Sequence, residues 1–126
     1  MAARESFLPD DWVARGKADL SAAEILLNNK GDPQVAAALV QQGVEKHLKG
    51  WLLSKGWRLA RVHDLQRLLD DAAAYDKKLA RHYRLCEKLT AFYFVDRYPF
   101  TVGPPDTTAV KDILAEALKF VAELKP

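Results

Sequence analysis

The chain has 126 residues, 49% of them hydrophobic and 29% charged, with a formal net charge of +2. That length predicts a single domain over 1–126 with its core over about 12–124, and the apolar content is enough for one core. The near-balance of charge argues against a general drive toward nucleic acid, which shows as a clustered basic face, but it leaves room for a local basic patch.

Met1 to Ser6 lacks the apolar run of a signal peptide, and the longest purely apolar run, Val35 to Val40, is far too short for a membrane span. A soluble protein is expected. The first helix is predicted from Pro9-Asp10-Asp11, where acidic residues favour a helix N-terminus, to about Asn28, with Trp12, Ala18, Ala22, Ile25 and Leu26 facing a core. Gly31-Asp32-Pro33 is a break and restart, because Asp32 can cap and Pro33 suits a first turn. The second helix runs to Lys55 and ends at Gly56. Its apolar stripe is Ala36, Leu39, Val40, Gly43, Val44, His47, Leu48, Trp51 and Leu52, at spacings of three and four. Gln42, Glu45 and Lys49 flank that stripe, and a lone histidine such as His47 on it reads as a hydrogen-bonded core residue.

Trp57 to Val62 is a connection, and His63-Asp64-Leu65 opens a third helix that Asp64 or the His63 side chain can cap. A fourth helix carries Leu79, Tyr83, Cys86, Leu89, Thr90 and Tyr93. Cys86 is the one cysteine, which excludes an internal disulfide and fits a reducing, cytoplasmic setting. From Arg97 to Pro105 the prolines rule out regular helix. Asp106 or Thr107 caps a last helix with Val110, Ile113, Leu114, Ala117, Val121 and Leu124 on one face. The fold class is all-α: an up-and-down bundle of about five helices.

Several polar residues have two readings. Glu45 and Lys49 stand four apart with the acid first, which suits either a surface pair or one wall of a polar groove. Arg97, held by Pro99, either satisfies helix-end carbonyls or aims its planar fork of donors at phosphate. His63 either belongs to the helix cap or faces a groove as a proton donor or phosphate contact. The histidines at 47, 63 and 82 share no zinc-like spacing with one another or with Cys86, so no metal site is expected. Large apolar side chains at Trp51, Trp57, Phe92, Tyr93 and Phe94 exceed what a thin bundle hides, and predict a homodimer joined through the second and fourth helices.

The stretch Gln41 to Lys49, with His63-Asp64-Leu65 and Arg97-Tyr98-Pro99, resembles the HEPN domain family, small helical domains associated with nucleotides and RNA. The resemblance covers nearly the whole chain. It implies that Gln42, Glu45 and Lys49, which match a Gln-x-x-Glu-x-x-x-Lys pattern, form a ligand groove with His63, Arg97 and Tyr98. It also implies pairing into a dimer and no cofactor. Many such proteins are metal-independent ribonucleases that use an arginine and, four to six residues on, a histidine. That spacing occurs here as Arg58…His63, early in the chain. After Arg97, where the motif normally lies, the corresponding positions are Val102, Gly103 and Pro104, none able to do acid–base chemistry. The implied function is therefore a nucleotide- or RNA-phosphate-binding partner of a minimal nucleotidyltransferase, in a two-component system of the toxin–antitoxin kind. A ribonuclease using Arg58 and His63, and a purely structural dimerisation domain, are the alternatives. Catalysis is not the favoured reading.

Overall fold

A computed structural model describes residues 5–97 and 106–125, with 92–97 described by backbone alone. Five α-helices form among them: α1 (Pro9–Asn28), α2 (Pro33–Ser54), α3 (Leu65–Tyr75), α4 (Tyr83–Arg97) and α5 (Thr107–Glu123), with a short 3₁₀ helix, Lys77–His82, leading into α4. The predicted boundaries hold because local chemistry sets them. Asp32 accepts from the backbone N–H groups of Gln34 and Val35, and Pro33 takes the first position, where its missing donor costs nothing. Asp64, rather than the His63 side chain, caps α3 through Gln66 N–H, and Asp106 caps α5 through Ala109 N–H.

The end of α2 is closed by two crossed bonds: Trp57 N–H donates to Leu52 O at 3.0 Å and Gly56 N–H to Leu53 O at 3.1 Å. This requires a left-handed residue, supplied by Gly56 at φ 91°. At the end of α1 the left-handed residue is Lys30 (φ 58°), not the neighbouring glycine. Gly31 is needed where it stands, since a Cβ there would come within 2.7 Å of Leu26 Cδ2 and 2.9 Å of Leu26 O.

The buried residues form one core, drawn from every helix, with α2 at its centre. The predicted stripe on α2 is buried except for Leu39, which is half-buried. The face of α1 differs from expectation. Gly16, Leu20, Ala23 and Leu27 are buried, while Ala18 and Ile25 are exposed and Trp12, Ala22 and Leu26 are half-buried. The cause is glycine. Gly16 of α1 and Gly43 of α2 let the two helices meet so closely that a Cβ at either would come within 3.1 Å of the other's carbonyl oxygen. Gly50 does the same against Pro9 O, so the pair runs antiparallel with its contact face set by the glycines rather than by the bulkiest apolar residues.

Phe120, absent from the expected face of α5, is fully buried, and Tyr83, expected inward, is exposed. The ground offered for an interface through α2 also fails. Trp51 is buried edge-on to Tyr75, and Trp57 is half-buried with its Nε1–H donating to Asp71 at 3.0 Å. The bundle houses both tryptophans itself.

Candidate functional site: a buried carboxylate between a lysine and a histidine

Gln41, Glu45 and Lys49 stand at i, i+4 and i+8 on α2, which aligns them along one line of the helix. All three are buried. Lys49 Nζ donates to Glu45 Oε2 at 2.9 Å, and Gln41 Nε2 donates to Glu45 Oε1 at 3.2 Å and to His63 O at 3.3 Å. His63 Nδ1 lies 3.1 and 3.2 Å from the two carboxylate oxygens. One carboxylate therefore ties a buried helix to the residue just before the cap of α3. The lysine is dry, its side chain only 3% exposed, and the Trp12 ring from α1 covers it with the ammonium 5.4 Å from the ring centre. His63 is the member that reaches solvent, with its side chain 50% exposed.

The pairing of Glu45, open between Lys49, Lys46 and Arg97 on sequence grounds, goes to Lys49 and His63. Lys46 turns the other way, to Asp19 of α1 at 2.6 Å. The glutamine in the network is Gln41, whose spacing of four to Glu45 was the available signal; Gln42 is half-buried beside it. Arg58 is exposed on the 57–64 connection. Arg97 is the last residue of α4, its side chain is not among those described, and Tyr98 with the Pro99–Pro105 segment lies outside the described residues. Among the described residues, no three of His, Cys, Asp and Glu come together as a metal-holding group. Cys86 is buried and its thiol is pushed up to about 12, first by loss of solvent and then by the charge of Asp64, so it is inert at neutral pH.

His47 is a core residue, though without the expected hydrogen bond: its Nε2 is buried with no partner among the described residues. The ring packs against Gly16, where a Cβ would meet its Cδ2 at 2.7 Å. Burial, then the charge of Lys17, lowers its pKa below the ordinary 6.5. A depressed histidine contributes stability that is complete above the unfolded value and drains away as pH falls through the folded one. The native chain should therefore lose stability between pH 7 and pH 5 more steeply than His47→Phe. Urea denaturation at several pH values measures both slopes, and equal slopes would count against a neutral buried His47.

An all-helical bundle whose central helix holds a buried Glu–Lys pair beside a half-exposed histidine is the class that fold and site define. The HEPN domain model matches residues 9–125, and the chain belongs to that family. Two solved structures share the fold. TT1696 from Thermus thermophilus is 24% identical, with a TM-score of 0.74 over 92% of this chain and 94% of that one. ST0689, an archaeal HEPN homologue, is 22% identical, with a TM-score of 0.75 over 93% of this chain and 94% of that one. No curated protein matches the chain. Among the described residues no helix is long and apolar enough to cross a membrane.

Proposed function

We propose that the chain binds the phosphate of a nucleotide or RNA without cleaving it, as a homodimeric cytoplasmic partner of a minimal nucleotidyltransferase in a two-component, toxin–antitoxin-like system. The observation that supports this reading is the placing of the Glu45 carboxylate between Lys49 and His63. A bare carboxylate under an anion site would repel the ligand. Lys49 cancels that charge from below, where it is too enclosed to touch a ligand itself, while Glu45 fixes the imidazole ring that reaches solvent. His63 is then the direct contact, with Arg97 and Tyr98 approaching from the end of α4 and Gln42 flanking. Arg97 supplies the bidentate, permanently charged fork that phosphate recognition favours.

Fluorescence anisotropy of labelled ATP and of a short labelled RNA tests the reading. Losing a charge-assisted hydrogen bond costs roughly 1.5–3 kcal/mol, so Arg97→Ala and His63→Ala should each weaken binding about 10- to 100-fold. Native protein that binds neither probe at millimolar concentration, or binding that neither substitution changes, would reject it and leave a structural pairing domain.

A further inference from the structure

The turn of α1 that brings Leu20, Ala23 and Leu27 inward leaves the opposite face bare. Ala14, Lys17, Ala18, Ser21, Glu24 and Ile25 are all exposed, and they fall within one arc of the helix centred on Ser21. Ile25 is 60% exposed, unusual for an isoleucine in a small bundle. α5 runs alongside with a matching exposed line of Ala115, Leu118 and Ala122, of which Leu118 is 41% exposed. Between the two helices is an open groove of about 360 Å³, walled by Lys17, Ser21 and Glu24 on one side and Leu118 and Val121 on the other. Small residues line both margins, so another backbone can come close without side chains in the way.

The charges on this face say what covers it. Lys17 and Glu24 lie seven residues apart on one side of α1, too far apart to pair with each other, and neither is in an ion pair with a described residue. A two-fold axis passing beside Ser21 sets two α1 helices antiparallel. It places Lys17 beside the partner's Glu24, and Glu24 beside the partner's Lys17. One surface is thus complementary to itself, which is what an isologous dimer needs. The same operation carries Ile25 to the Lys17 end of the partner's groove, near the partner's Leu118.

We infer that two copies of the chain pair through the exposed face of α1 and α5, with reciprocal Lys17–Glu24 ion pairs and Ile25 seated in the opposing groove. This specifies the homodimer in the proposed function and rests on it, but it moves the interface away from α2, whose central residues the fold has already buried. The apolar contact supplies affinity, and the crossed charges fix the orientation.

Sedimentation velocity across a concentration series tests the inference, with circular dichroism confirming that each variant keeps its helices. Every substituted residue is exposed, so the fold is left in place. Ile25→Asp should weaken self-association at least tenfold. Lys17→Glu alone and Glu24→Lys alone should each weaken it, since like charges then face each other. The double reversal Lys17→Glu with Glu24→Lys should restore it. A native chain that is monomeric at high micromolar concentration would overturn both the homodimer and this face. A native dimer indifferent to Ile25→Asp and Glu24→Lys would overturn this face alone. Weakening by the single reversals with no recovery in the double would overturn the reciprocal pairing.

Discussion

Lys49→Ala is expected to destabilise the fold by about 3–5 kcal/mol, the usual loss when one partner of a buried ion pair is removed. The size comes less from the lost attraction than from what is left behind. Glu45 would remain a carboxylate whose side chain is only 8% exposed, with Gln41 and His63 as its remaining contacts and its closest cation gone. The void beside Trp12 adds the lost packing of the lysine stem. Removing both charges together tests the cause. Glu45→Gln with Lys49→Met leaves no buried charge uncompensated, and should be markedly more stable than Lys49→Ala alone. Chemical denaturation of the two singles and the double gives the coupling directly. If the double is no better than the sum of its parts, Glu45 and Lys49 are not acting as a pair.

Gly43→Ala should also destabilise the protein, by about 1–3 kcal/mol, against the trend for glycine in a helix. Helix propensity taken alone favours alanine by about 1 kcal/mol. Packing opposes it, because the new methyl would lie 2.7 Å from both Cγ and Cδ2 of Leu20 and 3.1 Å from Gly16 O. Leu20 is 4% exposed and has nowhere to retreat, and the Gly16 oxygen is backbone, so α1 and α2 must part. Gly43→Val should cost more still. A melting temperature for Gly43→Ala at or above that of the native chain would show that the crossing has slack and that the glycines do not set the α1 face.

The residues that punctuate the chain made its helices legible. Pro9, Asp32-Pro33, Gly56, Asp64 and Asp106 act within a few residues of themselves, so each helix end could be read locally. The face of α1 could not. Ala18, Ala22 and Ile25 make as good an apolar stripe as Leu20, Ala23 and Leu27, and the choice between them depends on Gly43, a residue of another helix. The polar site divides in the same way. The Glu45–Lys49 pair lies within one helix and its spacing announced it. The link from Glu45 to His63 spans eighteen residues and a change of direction, and no periodicity carries that information. Gln41 and Gln42 are neighbours of the same type. Only the four-residue step to Glu45 separates them, and the family pattern pointed to the other one. Family membership itself was legible, because motif positions spread across the chain agreed with a helical bundle.

The central claim is that the imidazole held by Glu45 serves phosphate binding and not cleavage. Its most direct test is to incubate a labelled single-stranded RNA with the native chain, His63→Ala and Arg58→Ala in the presence of a chelator, following binding by anisotropy and integrity by gel in the same samples. The account predicts RNA that is bound by the native chain, released by His63→Ala and full-length in every lane. Shortened RNA that appears with the native chain and disappears with His63→Ala would contradict it and make the protein a metal-independent ribonuclease.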